Sequence, residues 1–589
     1  MGSADASGRQ KSSNVQSGPQ IVWQSPLNKL RNHTTARAGL RYTTGSTTHW
    51  NVLSVAMTAA LMSLANKRSR FIVALVFATL VLFLVSRPRA PGARGFFGGG
   101  AKPPPEEPKE PGYNGPRIEL FGIPDFGAEV EVATLNIKVK EQESSTSSPY
   151  TKGGPGSSKN PKLGNYPAAN HRRQGYGVVM PSPLQIQLPI ALPKFSTHHV
   201  DAPGFNVSDF DASVPGTPPA SISIPVPAEP SPPDASRVTF GVATMLERMP
   251  EALRNFKHWA AHTDARFVVV HEPQNTTARP GEPSAAEIKQ MYREAGIDHL
   301  FLIESDKGWG ERYVSLLSWL ASTLEEQTQW VALIDDDTFF FDMGTLLGVL
   351  RKYNAKDSLY VGTLSENKWN INNGGIFAIG GAGVFMSRTL IQAVGPHAGS
   401  CWTNRQLEVM GGDAIVGDCV YAHTTTKLTI EHGLYQLDLH GDVTGFYEAV
   451  RPQPVSVHHW KSWHHHDLPT IASVSEACGK RCVLQNFRFQ DGWQLSNGFS
   501  VVKYGYNETE LASQHPEAME HTWKRTIWDI DDSWRYSLEP LKPRDEGKVQ
   551  FLVEKIIKDE QEGTLTVYYV RRKDGIANGL IRMIWHQAS

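Results

Sequence analysis

The sequence predicts an α/β domain with a mostly parallel central sheet, preceded by one transmembrane helix and a disordered stem and followed by a β-rich module. Three patterns predict this order: an uncharged apolar run at 71–86, alternating strand and helix patterns within 236–475, and alternating aromatic residues within 476–589. Strands that alternate with helices at this spacing are typical of βαβ units. The two remaining segments are a predicted disordered tail, 1–70, and the predicted stem, 87–235.

The apolar run at 71–86 predicts a signal anchor. Its sixteen residues would form a helix of ~24 Å, which suits a thin membrane of the early secretory pathway. Basic residues are more numerous before the run than after it, so the positive-inside rule places the N-terminus in the cytosol. We therefore predict a single-pass type II membrane protein whose bulk is lumenal. Whether 52–65 also contacts the membrane stays open.

The stem, 87–235, is rich in Pro, Gly and Ser, which predicts an extended spacer between the membrane and the folded domain. Whether short apolar pieces within the stem, such as 130–139, form strands that pack on the domain stays open. The sequons at Asn206, Asn275 and Asn507 would be glycosylated in the lumen, which predicts a glycoprotein.

The overall composition excludes some classes of partner and site. The net charge of the 589 residues is −1, so no nucleic-acid partner is predicted. The four cysteines show no zinc-site spacing but permit two disulfides. A bridge between Cys401 and Cys419 would restrain the loop between them, with two free thiols as the alternative; Cys478 and Cys482 could pair locally.

A run of three carboxylates organises the domain. The buried-strand pattern Trp330–Ile334 ends in Asp335, Asp336 and Asp337, and no dinucleotide-binding or phosphate-loop motif follows the first predicted strand of the domain. Carboxylate oxygens at the carboxyl end of a strand are suited to Mg²⁺ or Mn²⁺, which in turn bind phosphate oxygens. The alternative is a solvated acidic turn.

Three later features strengthen the metal interpretation. The segment 380–383 (GGAG) allows close backbone approach to a ligand, with a bulged core strand as the alternative. Asp413, in a glycine-flanked helix start, could accept a proton from a sugar hydroxyl or could cap the helix. His458 or His459 could complete a metal shell, whereas the histidines at 464–466 could form either a surface loop or an adventitious metal site.

Six motifs in this order resemble the fringe-like β-1,3-glycosyltransferases of glycosyltransferase family 31, in particular their DUF-type relatives. The resemblance covers 237–463, and it implies a GT-A fold, inverting transfer from a UDP-sugar, dependence on Mn²⁺ (or Mg²⁺), and a Golgi membrane location. The motifs are WxxxxDDD, YVGTLSEN at 360–367, GGAG at 380–383, CW…GGD…C at 401–419, HGLYQLDLHGD at 432–442 and PVSVHHW at 454–460.

The resemblance also implies a role for each candidate residue. One departure from the family pattern is Gly412, where many relatives carry an acidic residue just before the base. The implied roles are ribose and metal-shell contacts for Asp335 and Asp336, metal binding for Asp337 and His458 (alternatively His459), the catalytic base for Asp413, and donor-pocket lining for Gly380, Gly381, Ala382 and Gly383.

The predicted function is therefore transfer of a hexose or N-acetylhexosamine from a UDP-sugar donor to a hydroxyl of a glycan or glycoprotein acceptor, forming a β-1,3 linkage. The alternative is a non-catalytic protein that binds glycans or nucleotide sugars and retains the GT-A fold. A glycoside hydrolase is disfavoured, because it would use two separated carboxylates rather than three adjacent ones.

Overall fold

The computed structural model describes residues 126–142, 185–199, 220–227, 230–273, 283–405, 411–506, 517–524 and 537–586. All of them belong to one compact unit, 113–589. The predicted tail (1–70), the predicted signal anchor (71–86) and the three sequons lie outside the described residues. Within the described ranges, no helix is both long enough and apolar enough to cross a membrane.

The elements are numbered here in chain order. The strands are β1 (Phe126–Gln142), β2 (Gln185–Gln187), β3 (Ser196–His199), β4 (Ala220–Pro227), β5 (Val238–Thr244), β6 (Arg266–His271), β7 (His299–Glu304), β8 (Trp330–Ile334), β9 (Phe339–Phe340), β10 (Tyr360–Gly362), β11 (Val384–Ser387), β12 (Leu428–Ile430), β13 (Leu434–Tyr435), β14 (Ser456–Val457), β15 (Asn486–Arg488), β16 (Gln494–Ser496), β17 (Ser500–Lys503), β18 (Met519–Glu520), β19 (Leu541–Lys542), β20 (Val549–Asp559), β21 (Thr564–Lys573) and β22 (Ile576–His586). The α-helices are α1 (Met249–Ala260), α2 (Ala285–Glu294), α3 (Trp309–Ser322), α4 (Met343–Leu350), α5 (Lys368–Gly374), α6 (Arg388–Val394), α7 (Ala398–Thr403), α8 (Gly412–His423), α9 (Thr444–Glu448), α10 (Leu468–Ile471) and α11 (Ser475–Cys478). Short 3₁₀ helices lie at Leu246–Arg248, Gly395–His397, Ala472–Val474 and Lys480–Cys482.

A seven-stranded sheet with the order β12-β10-β11-β8-β5-β6-β7 forms the centre of the α/β region. The strands β8, β5, β6 and β7 run parallel, as the βαβ pattern predicts. The sheet as a whole is mixed, because β11 runs antiparallel to both β8 and β10. The pairing of β11 with β8 positions the site. Because Val384 lies opposite Leu333, the start of β11 lies beside the end of β8.

Both faces of this sheet are covered by helices. Side chains alternate along β8, so Trp330, Ala332 and Ile334 pack on one face with α1, α2 and α4. Val331 and Leu333 pack on the other face with α3, α6 and α8. A strand buried on both faces explains why its sequence is an uninterrupted apolar run.

A second sheet, of ten strands, corrects the prediction of a disordered stem. Its order is β2-β15-β16-β17-β20-β21-β22-β1-β3, with β4 paired to β1, so strands β1 to β4 all come from the segment 87–235. Along β1, Ala133, Leu135 and Ile137 are buried in the same core, which is the period-two pattern of a strand. A Pro-rich composition therefore does not prevent pairing where a short alternating stretch finds partner strands.

The core of the second sheet extends into the α/β region. It contains Trp585 and Val501 from the sheet together with Phe339, Val457 and Trp460, which flank the predicted metal site. The boundary predicted between residues 475 and 476 therefore does not divide the core. The core of the second sheet instead includes residues of β9 and β14, which lie next to Asp337 and His458 in the chain.

Candidate active site

The structure brings Asp335, Asp337 and His458 together. The pairing of β9 with β14, with Phe339 opposite Val457, places His458 directly against the carboxylates that precede β9. The Nε2 atom of His458 lies 2.9 Å from Oδ1 of Asp337 and 3.3 Å from Oδ2 of Asp335. The sequence motifs DDD and HHW, more than a hundred residues apart, therefore meet because short strands follow one motif and precede the other.

The electrostatics of this group favour positive charge between the two carboxylates. Burial lowers the pKa of His458, but the carboxylates of Asp337 and Asp335 outweigh it and raise that pKa to about 10. Burial raises the pKa of Asp337, and the neighbouring His458 lowers it, to about 2. A proton on the imidazole thus balances charges that a divalent cation would otherwise balance.

The donor atoms of this group fit a divalent cation. One ligand atom from each of the three residues lies within 4.8 Å of the others, and two carboxylates with one imidazole suit Mn²⁺ or Mg²⁺. The ring of His458 is held closely: a Cβ added to Gly381 would lie 2.3 Å from its Nδ1 atom. That Nδ1 atom is buried and has no hydrogen-bond partner in the part of the chain that the structure describes, so packing and the Nε2 contacts with the two carboxylates orient the ring.

Asp336 does not join this group, although it was predicted to approach the metal shell. Its side chain points away from the group. Asp336 lies in the turn that follows β8, which is closed by a hydrogen bond from the backbone N–H of Thr338 to the carbonyl of Asp335. It accepts hydrogen bonds from the Thr244 hydroxyl and from Arg248, whose Nη2 atom lies 2.5 Å from Oδ1. Burial raises the pKa of Asp336 to about 6. Asp336 therefore contacts residues at and just after the carboxyl end of β5 rather than the candidate metal group.

His459, the alternative metal ligand, is also directed elsewhere. Its Nε2 atom lies 3.1 Å from Oδ1 of Asp438, and its ring stacks on Trp463 with centroids 3.9 Å apart. Asp438 also accepts hydrogen bonds from Ser365 and Asn370. His458 is thus the histidine that the structure places beside Asp335 and Asp337, and the Asp438–His459 pair is a polar contact that the sequence did not predict.

Asp413 lies in the first turn of α8, after the N-cap residue Gly411, so it is not the helix cap. Its Oδ2 atom accepts a hydrogen bond of 2.9 Å from the backbone N–H of Gly380, and its Oδ1 atom accepts one of 3.0 Å from Ala414. Burial raises its pKa to about 7, aided by the charge of Asp335. A carboxylate with this pKa is a stronger base than an ordinary aspartate.

The segment 380–383 connects the two parts of the site. The Thr338 hydroxyl accepts a hydrogen bond from the backbone of Asp335 and donates one of 2.8 Å to the carbonyl of Gly381. The Ser456 hydroxyl donates to the carbonyl of Ala382, at 2.6 Å. Gly380, Gly381, Ala382 and Gly383 are all buried, and Gly383 adopts a positive φ of 104°. The observed role of the segment is to hold the carboxylate turn, the histidine strand and Asp413 together.

The disulfide between Cys401 and Cys419 is present and joins α7 to α8, the helix that carries Asp413. Cys478 and Cys482 are also bridged. The Cys401–Cys419 bridge restrains the loop before Asp413. Of the two predicted alternatives, a bridge or two free thiols, the structure therefore has the bridge.

Tyr313 is a residue of the site that the sequence analysis missed. It lies on α3, and its ring occupies the space beside Gly412, where an added Cβ would lie 2.6 Å from Cδ1 of the tyrosine. A side chain at position 412, just before the candidate base, would therefore not fit here. The only signal in the sequence is an aromatic residue on the apolar face of a helix, which is the same signal that a core residue gives.

Comparison with known proteins supports the predicted family resemblance. Residues 309–467 match the model of the family described as Fringe-like. This match covers the candidate metal site and Asp413, and it lies almost entirely within the range 237–463 over which the ordered motifs predict the resemblance.

Three solved structures of glycosyltransferases are distantly similar. The mannosyltransferase PcManGT from Pyrobaculum calidifontis, in complex with GDP-Man and Mn²⁺, is 16% identical with a TM-score of 0.23, over 35% of this chain and 59% of that one. The galactosyltransferase LgtC, in complex with donor and acceptor sugar analogues, is 14% identical with a TM-score of 0.26, over 37% and 86%. Mouse xyloside xylosyltransferase 1, in its apo form, is 6% identical with a TM-score of 0.24, over 37% and 96%.

TM-scores of this size do not establish a common fold, and the match to the archaeal enzyme spans less than two thirds of its length. The family assignment therefore depends on the Fringe-like match and on the motifs within it. The predicted resemblance is confirmed over residues 309–467, which match the Fringe-like family, and this match supports a glycosyltransferase.

Proposed function

We propose that the protein is an inverting, metal-dependent glycosyltransferase that moves a hexose or N-acetylhexosamine from a UDP-sugar to a hydroxyl of a glycan or glycoconjugate, forming a β-1,3 linkage. The observation that carries the proposal is the grouping of Asp335, Asp337 and His458, linked through Gly380 and Gly381 to Asp413. This arrangement places three potential cation ligands and a candidate base beside one segment, 380–383. The metal-dependent, inverting transfer proposed here would use both.

Asp413 would act as the base. Its carboxylate accepts the proton of the acceptor hydroxyl while that oxygen attacks the anomeric carbon and the bond to the diphosphate breaks. A single displacement of this kind inverts the configuration. Asp335, Asp337 and His458 would hold a divalent cation, which supplies positive charge for the diphosphate leaving group when it is bound. The hydrogen bond from Gly380 fixes the Asp413 carboxylate, and burial keeps its pKa at about 7.

The nucleotide would bind near Asp336. In open α/β sheets, ligands bind outside the carboxyl ends of the strands, where Asp336, Thr244 and Arg248 meet. The side chain of Arg248 is half exposed and could pair with a phosphate as well as with Asp336. This position agrees with the predicted ribose contact of Asp336 rather than with a metal contact.

The membrane anchor at 71–86 and a Golgi location with a lumenal catalytic region remain part of the proposal. The anchor and the lumenal orientation depend on the apolar run and on the charge difference across it, whereas the Golgi location depends on the family resemblance.

The test is release of UDP by the full-length chain from UDP-galactose, UDP-GlcNAc and UDP-glucose, with Mn²⁺ or with EDTA and with an acceptor panel. We expect metal-dependent turnover of one donor, with loss in Asp413→Asn and in Asp337→Ala. Asp418→Asn is the matched control, because Asp418 is exposed on the same helix. Binding of a donor without turnover would favour the non-catalytic alternative, and failure to bind any of the three would refute the proposal.

A further inference from the structure

Two histidines lie beside the disulfide that joins α7 to α8. Cys419 and His423 are four residues apart on α8, so both lie on one face of that helix. His397, the N-cap residue of α7, precedes Cys401 by the same interval. The imidazole rings of His397 and His423 are parallel, with centroids 3.7 Å apart and an interplanar angle of 6°. The fold thus brings together one Cys–His pair from each helix. The Cys–His group is defined here as His397, Cys401, Cys419 and His423.

The Cys–His group has the ligands of a tetrahedral zinc site. One ligand atom each of Cys401, Cys419 and His423 lies within 4.8 Å of the others, and the Cα atoms of the two cysteines are 5.5 Å apart. Around one zinc ion, bonds of about 2.3 Å to sulfur and about 2.0 Å to nitrogen place two sulfurs ~3.8 Å apart and two nitrogens ~3.4 Å apart. The stacked rings already have nearly the second separation. Two thiols at these positions can reach the first by rotation of their side chains.

The site exists only when the bridge is open, because the thiolate is the form of cysteine that binds metals. Cysteine enters a new chain as a thiol, so the open form precedes the bridge. In the folded protein a dithiol reductant restores it: two electrons and two protons pass to the bridge, the S–S bond breaks, and the reductant becomes a disulfide. Zn²⁺ then displaces one proton from each thiol. The bridge and the ion therefore exclude each other.

The Cys–His group differs in chemistry from the carboxylate group at the end of β8. Thiolates select zinc, whereas the carboxylates of Asp335 and Asp337 suit Mn²⁺ or Mg²⁺. The Cys–His group is also open to an ion from one side, since Cys419 is buried but His423 is exposed. Both of its helices are held by the same two sulfurs, and α8 carries the candidate base.

We propose that the Cys–His group is a second metal site, which binds Zn²⁺ when its two cysteines are reduced and keeps α7 attached to α8 in that state. The spacing of the cysteines along the chain does not indicate such a site, because each helix supplies a single cysteine. The alternative is a pair of surface histidines that stack beside a purely structural bridge. The proposal does not depend on the transferase activity.

The experiment uses the full-length chain, reduced with a phosphine and desalted without oxygen, with Co²⁺ as the probe. Tetrahedral Co²⁺ reports thiolate ligands by a charge-transfer band, to which carboxylates and imidazoles do not contribute. Thermal unfolding checks that each protein is folded. The matched controls are Cys478→Ser/Cys482→Ser and His465→Asn, an exposed histidine whose positive φ of 55° asparagine tolerates. The variants are His397→Asn, His423→Asn and Cys401→Ser/Cys419→Ser.

We expect the reduced chain to show the band with one equivalent of Co²⁺ and to lose it when Zn²⁺ is added, whereas the oxidised chain shows no band. Each histidine variant should bind Zn²⁺ at least about tenfold more weakly, and both controls should keep the wild-type affinity. Zn²⁺ should also raise the Tm of the reduced wild type more than that of reduced Cys401→Ser/Cys419→Ser.

A reduced wild type without the thiolate band would refute the site, as would a band that persists in Cys401→Ser/Cys419→Ser. If both histidine variants bind Zn²⁺ as tightly as the wild type does, the thiols bind the ion without the histidines, and the assignment of the ligand set is wrong.

Discussion

Replacement of Gly381 by alanine is expected to disable the candidate metal site without touching any of its ligands. The added Cβ would lie 2.3 Å from Nδ1 and 2.4 Å from Cε1 and Cγ of His458, more than 1 Å inside ordinary contact. The ring cannot retreat freely, because it is buried and its Nε2 atom lies against Asp335 and Asp337. It must therefore move by about 1 Å, which is enough to misplace a ligand atom.

Overpacking of this kind costs about 1–3 kcal/mol of stability, and disturbed ligand orientation costs about 10–100-fold in metal affinity. Isothermal titration with Mn²⁺ measures the affinity, and denaturant unfolding measures the stability. Gly399→Ala is the control, because an added Cβ meets nothing within 4 Å there. If Gly381→Ala binds Mn²⁺ as tightly as Gly399→Ala does, then His458 is not a ligand held by this contact.

Three further predictions concern the same site. His458→Gln should lose about 10–100-fold in Mn²⁺ affinity by titration, whereas His459→Gln should keep it, and equal losses would contradict the assignment of the ligand. Asp413 works as a base only when deprotonated, and burial raises its pKa to about 7, so kcat/KM should fall about tenfold per pH unit below that value. A pH–rate profile that stays flat down to pH 5 would exclude it as the base. Removing the disulfide with Cys401→Ser and Cys419→Ser should lower the free energy of unfolding by about 3 kcal/mol, given a sequence separation of 18. Urea denaturation measures this value, and a change below about 0.5 kcal/mol would contradict the expected stabilisation by the bridge.

The parts of the fold that could be predicted are those whose signal is local. The apolar run Trp330–Ile334 followed by carboxylates predicts a buried strand with charge at its end, and β8 has those bounds. The direction of the Asp336 side chain could not be predicted from this run, because Asp336 and Asp337 lie in a turn rather than in a strand. The grouping with His458 came from the family resemblance, because nothing local indicates that β9 pairs with β14.

The parts that could not be predicted depend on distant partners. Tyr313 has the sequence context of a core residue of α3, and only its packing against Gly412 and Gly380 reveals that it borders the base. The strands within the predicted stem could not be predicted for the same reason. The alternating residues of β1 are too few to specify a strand without β22, which lies at the other end of the described chain.

The pairing of β1 with β22 has a consequence for how the protein is made. The side chains of Asn136 and His586 approach to 3.4 Å across the two strands, yet the residues are 450 positions apart in the chain. At a synthesis rate of about 5–20 residues per second, β1 leaves the ribosome on the order of half a minute or more before its partner exists. During that time one of its edges is open to pairing with other chains. A version of the protein that begins at residue 236 would likewise leave β15 and β22 as unprotected edges, and its lower solubility relative to the full chain would measure how much the N-terminal strands protect.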